Sequence, residues 1–248
     1  TVQEIPFGIH KHSLHVSGHG EHLQQYTSMN ILIIHYHLRA GGVTRVIESQ
    51  AKILREQGHE VQIASSGPLE EWAKPGLIVP ELDYGTEGTI PAERLLELKS
   101  DLWIIHNPTL GLNANYPKMI EIAALAGVPI LMQIHDFVED GRPENYQLVI
   151  GNKRLYPTAR HVHYATINRR DLEVLKTAGV PASRVHFLPN AVNPPEIKKR
   201  ISENPLMVSG SDTNFPLVPV KTSATVNGCD INFWHFRARA TVNLSSSD

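Results

Sequence analysis

The chain has 248 residues, with 23 Lys and Arg against 25 Asp and Glu. This near balance argues against a dedicated nucleic-acid-binding protein, because such a domain carries a basic excess. The single cysteine, Cys229, excludes an internal disulfide framework and a cysteine zinc cage. No apolar stretch approaches the roughly 20 residues of a membrane span. Together these features predict a soluble protein of a reducing, cytoplasmic compartment.

Three zones of the chain differ in composition. Residues 1–28 contain five of the 14 histidines and show no apolar period, which predicts a poorly ordered extension. Residues 29–196 alternate apolar runs with helical stripes and predict one folded domain. Residues 197–248 begin with a polar linker and continue as a Ser/Thr/Asn-rich sequence. This composition is equally compatible with a few strands and with disorder.

The first half of the middle zone reads as strand, helix, strand. Ile31 to Ile34 form an apolar run typical of a strand buried on both faces. A helical stripe follows, with Gly58 at its end and a second strand at residues 60–64. The stripe consists of Val43, Ile47, Ala51 and Leu54.

The same alternation continues to residue 188. Strands are predicted at residues 101–106, 129–134, 163–167 and 185–188. Pro117 suits a first helical turn, and Asn168 is placed to cap a helix with Asp171 at its third position. Strands that alternate with helices predict an α/β fold, a Rossmann-like parallel sheet with helices on both faces.

Polar side chains follow three of the predicted strands. His35 and His37 come after the first strand, His106-Asn107 end another, and His135-Asp136 come after a third. Ligands of open parallel sheets bind at the carboxyl ends of the strands. We therefore expect these side chains to lie on one rim and to line a binding site.

The loop between the first strand and the first helix contains Gly41 and Gly42. Without side chains, the backbone N–H groups there can approach a diphosphate closely at the helix N-terminus. Arg45 is a candidate for additional positive charge beside a phosphate or an anionic acceptor. Nicotinamide binding is disfavoured, because the loop lacks G-x-G-x-x-G and the second strand ends in Ser65-Ser66 without a ribose-binding carboxylate.

Six segments in order resemble the first domain of GT-B glycosyltransferases of family four. They are residues 29–34, Gly41-Gly42-Val43, residues 54–61, residues 101–106, residues 127–136, and residues 185–192 with the text Val-His-Phe-Leu-Pro-Asn-Ala-Val. The resemblance spans residues 29–196. It implies one half of a GT-B fold and a retaining transfer of sugar from a nucleotide-sugar to an acceptor, with no further cofactor.

In this family the first domain holds mainly the acceptor and a second domain holds mainly the donor. The 48 residues after position 200 are too few for that second domain. The resemblance therefore implies a truncated or isolated acceptor-side domain that works with a donor-binding domain or a second copy. The acceptor is a lipid, a glycan or a small molecule. Lys198-Lys199-Arg200 allow at most weak contact with the inner face of a membrane.

The resemblance also implies roles for single residues. His135 matches the family's histidine near the transferred sugar, and Asp136 is placed to orient it, so both are candidate catalytic residues. Gly41 and Gly42 lie in the loop that the family places beside the donor phosphate, and Arg45 is a candidate there from its position just inside the helix. The dipeptide His106-Asn107 is a candidate contact to the acceptor.

Two other functions stay open at this point. One is a non-catalytic binding or regulatory protein on the same scaffold. The other is a metal-dependent hydrolase, because His35/His37 and His161/His163 have the spacing of paired metal ligands. A hydrolase barrel needs eight βα units, whereas the middle zone supplies about five or six.

Overall fold

A computed structural model describes residues 28–86, 88–140, 142–150, 154–190, 217–226 and 229–238. The predicted extension before residue 28 and the linker at 197–200 lie outside the described residues. None of the described helices is long and apolar enough to cross a membrane.

Within the described residues, seven parallel strands form one sheet in the order β3-β2-β1-β4-β5-β6-β7. The strands are β1 (Asn30–Ile34), β2 (Glu60–Ser65), β3 (Gly76–Ile78), β4 (Leu102–His106), β5 (Ile130–Ile134), β6 (Val162–Thr166) and β7 (Val185–Phe187). Six of them match predicted strands to within one or two residues. The short β3 has no counterpart in the sequence-based prediction, because Gly-Leu-Ile is too brief to show a period.

Five α-helices lie within the described part of the chain. They are α1 (Gly42–Glu56), α2 (Ala92–Leu96), α3 (Tyr116–Leu125), α4 (Pro143–Val149) and α5 (Arg169–Thr177). Asn168 caps α5 as predicted, since its Oδ1 accepts a hydrogen bond from the Asp171 N–H at 2.9 Å. Gly58, with φ of 86°, lies in the left-handed turn that ends α1.

The helices cover both faces of the sheet, which confirms the predicted Rossmann-like α/β fold. On β1, Ile31 and Ile33 pack into the cluster that contains Ile47 and Leu54 of α1. Leu32 belongs to the cluster on the opposite face, which contains residues of α3 and α5. This alternation follows from the two-residue period of a strand, and it explains why β1 is apolar at every position from Ile31 onward.

Two further strands of the tail, β8 (Leu217–Val226) and β9 (Cys229–Ala238), pair antiparallel with each other. The open alternative of strands or disorder for the tail is thereby resolved for these residues in favour of strands.

Candidate functional site

A cavity of about 200 Å³ lies at the carboxyl edge of the sheet. The strand order reverses at β1, which has β2 on one side and β4 on the other. Such a switch point opens a crevice between the loops that follow the two strands, and ligands of doubly wound sheets bind there. The cavity is lined after β1 by nine of the ten residues from His35 to Thr44, all except Leu38, by Asn107 after β4 and by Asp136 after β5. Tyr84, Leu110, Leu112 and Arg142 complete the lining.

The loop after β1 brings Gly41 and Gly42 to the cavity wall. Gly41 is extended, with φ of 177°, and no side chain in the described part of the chain caps α1. The Thr44 hydroxyl instead donates to the Arg39 carbonyl at 2.6 Å and holds the loop to the helix. A Cβ atom on Gly42 would meet no heavy atom within 4 Å. Packing therefore does not require glycine at position 42.

Asn107 connects the ends of β4 and β5. It has φ of 50°, in the left-handed region that non-glycine residues rarely adopt. Its Oδ1 accepts hydrogen bonds from the backbone N–H of His135 at 2.7 Å and of Asp136 at 3.3 Å. Its carbonyl accepts from the Tyr36 hydroxyl at 2.8 Å. Within the described residues its Nδ2 group makes no hydrogen bond, so this amide is available to a ligand in the cavity.

A buried chain of polar side chains runs beneath this rim. Gln50 of α1 donates through Nε2 to Gln133 Oε1 of β5 at 2.6 Å. Gln50 Oε1 lies 3.0 Å from His106 Nε2. On the other side of the ring, His106 Nδ1 lies 3.0 Å from His135 Nε2. Both ring nitrogens of His106 are engaged and the residue is fully buried, so the structure places it beneath the rim. Its contact with the acceptor stays a prediction.

Burial keeps these imidazoles neutral. It lowers the pKa of His135 to about 4, with a smaller opposing effect of Asp136. It lowers the pKa of His106 well below the ordinary value, and the neighbouring His135 and His35 add to this effect. A charged imidazole loses its hydration inside the protein, so the neutral form is favoured. At neutral pH, His135 is therefore a hydrogen-bonding group and not a cation.

His35 and His37 lie side by side on the cavity wall, with ring centroids 5.8 Å apart. Both follow the end of β1, and neither lies on the strand. His35 Nδ1 lies 3.2 Å from the His106 carbonyl and must donate to it. Burial lowers the pKa of His35 to about 3. In the neutral ring Nε2 is then the bare nitrogen.

The charged groups of the wall are arginines and one aspartate. Arg142 lies 3.5 Å from the Asp136 carboxylate, a long and partly exposed ion pair. Arg39 pairs with Asp83 at 2.7 Å, and the Arg39 side chain is 63% exposed. Arg45, in contrast, pairs with Glu48 on the same helix at 2.8 Å and is not part of the wall. Arg142 and Arg39 are thus the arginines that can meet a ligand in this cavity.

Several residues of the site were not predicted from the sequence. Gln50 shows a detectable signal, because it lies three positions after Ile47 on the buried stripe of α1. Gln133 interrupts an otherwise apolar strand, which is also a visible signal. Arg142 and Tyr84 come from loops distant in sequence and carry no comparable pattern.

In the metal-dependent hydrolase alternative, the pairs His35/His37 and His161/His163 must lie close enough together to share a metal site. His163 lies near the amino end of β6, whereas His35 follows the carboxyl end of β1, so a parallel sheet keeps them at opposite edges. His163 instead lies 2.9 Å from His186 on β7. Among the described residues, no group of three or more His, Cys, Asp or Glu side chains is arranged to hold a metal ion.

A larger cavity of about 420 Å³ lies between α5, β6 and the segments that follow β5. Its wall includes Phe137, Tyr156, Tyr164 and Val174, and none of the site residues predicted from the sequence. The smaller cavity is therefore the candidate site, because four of the predicted residues line it at the switch point, namely Gly41, Gly42, Asn107 and Asp136. The other three predicted residues, His135, His106 and Arg45, do not line it.

The fold and the rim of this cavity define a class of protein. The chain belongs to the family of glycosyl transferase 4-like domains, whose sequence model matches residues 41–191. That match begins at the Gly41-Gly42 loop and ends just after β7, so it covers most of the seven-stranded sheet.

The chain is also similar to mannosylglucosyl-3-phosphoglycerate synthase of Petrotoga mobilis. The two are 30% identical over an alignment of 199 positions, and the match covers 70% of this chain and 39% of that protein. The chain thus spans about two-fifths of the length of this relative.

Two solved structures are similar at lower levels. Anabaena Alr3699/HepE, in complex with UDP-glucose, is 14% identical, with a TM-score of 0.46 over 66% of this chain and 44% of that one. An alpha-glucosyltransferase in complex with UDP and DNA is 18% identical, with a TM-score of 0.37 over 55% of this chain and 38% of that one.

Proposed function

We propose that this chain is the acceptor-side part of a glycosyltransferase that moves a sugar, with retention of configuration, from a nucleotide-sugar to an acceptor. The observation that carries the proposal is the cavity at the switch point, where Gly41-Gly42, Asn107 and Asp136 meet. Family membership supports the reaction class. Because the chain spans 39% of its relative, we propose that donor binding needs a further domain.

The chemistry of the wall fits the two ligands of such a reaction. The uncapped start of α1 at Gly41-Gly42 offers N–H donors and a positive dipole end to the donor diphosphate. The Asn107 amide and the Asp136 carboxylate offer a donor and an acceptor to sugar hydroxyls. In a retaining transfer the departing diphosphate itself is available to take the acceptor proton. A weakly basic His135, with a pKa of about 4, fits hydroxyl binding better than proton abstraction.

We further propose an anionic acceptor. The name of the Petrotoga relative contains a phosphoglycerate group. Arg142 and Arg39 supply two cations to the same wall, and arginine binds phosphate and carboxylate oxygens through its forked donors. Glucosyl-3-phosphoglycerate is therefore the acceptor to test first.

The test has two stages. The 248-residue chain is titrated with UDP-glucose, GDP-mannose and glucosyl-3-phosphoglycerate by calorimetry. A chimera that carries residues 29–190 in place of the matching region of the Petrotoga synthase is then assayed for transfer, and NMR of the product reports its anomeric configuration. We expect the product to have retained configuration. Asp136→Asn should lower the rate of transfer at least tenfold, whereas the exposed Lys52→Ala should not. A folded chimera without transfer, together with no binding by the chain, would refute the proposal.

A further inference from the structure

The buried chain of Gln133, Gln50 and His106 ends at His135, and its hydrogen bonds fix where each proton lies. Gln50 uses its Nε2 to donate to Gln133, so the Gln50 group facing His106 is the oxygen Oε1. An amide oxygen only accepts. His106 Nε2, at 3.0 Å, must therefore carry the ring proton.

A neutral imidazole has one N–H and one bare nitrogen. With Nε2 of His106 protonated, its Nδ1 is bare and accepts a hydrogen bond. The atom facing it at 3.0 Å is His135 Nε2, which must then be the donor. His135 is neutral as well, so its Nδ1 is left bare.

We infer that Gln50 and His106 are positioning residues that lock His135 in the Nε2–H tautomer. The lock leaves His135 Nδ1 as a bare hydrogen-bond acceptor. Because the next residue, Asp136, lines the cavity, this acceptor is assigned to a hydroxyl of the bound sugar. All four residues of the chain are at most 6% exposed, so water does not compete for these hydrogen bonds. No hydrogen bond to His135 Nδ1 exists among the described residues, which leaves this atom available.

The backbone around His135 supports the same assignment. Asn107 Oδ1 accepts from the His135 N–H and holds the main chain after β5 in place. The two rings are stacked, with centroids 5.2 Å apart and 28° between their planes. The ring therefore has its position set by Asn107 and its proton set by His106, and neither depends on a ligand.

The sugar-binding part of this inference rests on the proposed function, whereas the tautomer does not. The full chain, labelled with ¹⁵N-histidine, is examined at pH 7 by long-range ¹H–¹⁵N correlation, which distinguishes bare from protonated ring nitrogens. His106→Asn and His135→Asn assign the signals by loss. The expected spectrum has Nε2 protonated and Nδ1 bare in both His106 and His135. A His135 with a protonated Nδ1 in the native chain overturns the inference.

Substitution at Gln50 tests the origin of the lock. Gln50→Leu removes the acceptor for His106, so the signals of both rings should shift toward a mixture of tautomers. Gln50→Glu keeps an acceptor at the same position and should restore the single tautomer. The His163–His186 pair, which lies at the other edge, is the internal control and should not change. An unchanged His135 spectrum in Gln50→Leu would overturn the role of Gln50.

Activity separates this inference from the proposed function. In the chimera, Gln50→Leu should lower kcat about tenfold, the value of one neutral hydrogen bond, and Gln50→Glu should recover most of it. The expected tautomer in the chain, together with a folded chimera that transfers no sugar and no ligand binding by the chain, refutes the proposed function and supports the lock. Transfer at the wild-type rate in a Gln50→Leu variant with mixed tautomers overturns the role of the lock in sugar binding.

Discussion

The side-chain oxygen of Asn107 accepts a hydrogen bond from the backbone N–H of His135 at 2.7 Å. Asn107 directly follows β4 and His135 directly follows β5, so this contact joins the ends of the two strands. Asn107 has a left-handed backbone conformation, with φ of 50°. Asparagine tolerates this region better than other residues with a side chain. One residue thus aligns the two strand ends that form the inner wall of the cavity.

We expect Asn107→Ala to lower the free energy of unfolding by about 2–3 kcal/mol, because two backbone N–H groups lose their acceptor and alanine is strained at positive φ. Asn107→Gly loses the same hydrogen bonds without the strain, so it should be about 1 kcal/mol less damaging. Urea denaturation of both variants measures the difference. Equal stability of the alanine variant and the native chain would contradict the structural role of Asn107.

Replacement by alanine should affect stability at Gly76 but not at Gly42, where it should affect ligand binding. A Cβ on Gly42 would meet no heavy atom within 4 Å, so Gly42→Ala should keep its stability. Because Gly42 lines the cavity, the added methyl group should weaken nucleotide-sugar binding by the chimera about tenfold. A Cβ on Gly76 would lie 2.5 Å from the Ile63 carbonyl oxygen, so Gly76→Ala should lower stability by about 1–3 kcal/mol. Urea denaturation of both variants of the chain and calorimetric titration of the chimera with Gly42→Ala provide the comparison. Undiminished binding by Gly42→Ala would remove this loop from the donor site.

Acid should destabilise the protein through its buried histidines. Burial lowers the pKa of His135 to about 4 and of His35 to about 3, from 6.5 in the unfolded chain. Below pH 6.5 the unfolded state binds protons first, so stability falls as the pH drops toward the folded pKa values. Each of these two residues should lower the free energy of unfolding by up to about 2 kcal/mol at pH 5 relative to pH 7.

Urea denaturation at pH 7, 6 and 5 measures this loss. His135→Asn should flatten the dependence on pH, whatever its effect on stability at pH 7. A native chain equally stable at pH 5 and pH 7 would show that these imidazoles are charged or exposed in the folded state.

Arg142 lines the cavity in the structure, whereas Arg45 is the arginine predicted from the sequence, so alanine variants of the two can be compared. Arg142 lines the cavity beside Asp136, so Arg142→Ala should raise the acceptor KM of the chimera about tenfold, and more at low salt. Arg45 does not line the cavity and pairs with Glu48, so Arg45→Ala should have a smaller effect. Lys52→Ala, which removes another exposed cation of α1, is the control for a general loss of charge. A larger increase in the acceptor KM for Arg45→Ala than for Arg142→Ala would instead support Arg45 as the arginine beside the ligand.

Much of the fold could be predicted from the sequence alone. Apolar runs of four to six residues, glycines after helices and the Asn168 cap are local signals, and each specifies an element through the backbone conformation that it favours. The short β3 was not predictable, because Gly76 to Ile78 form a strand only through pairing with β2.

Local sequence patterns suffice to predict the alternation of strands and helices, and hence the parallel sheet with its carboxyl-end rim, because apolar period and helix-ending residues are properties of neighbouring positions. The surroundings of each polar residue on that rim, in contrast, follow from tertiary contacts. These contacts turn His106 inward against Gln50, and they bring Arg142 to the cavity while leaving Arg45 outside. These outcomes depend on contacts between residues separated by tens of positions, and the burial that lowers the pKa of His135 exists only once those segments have packed together.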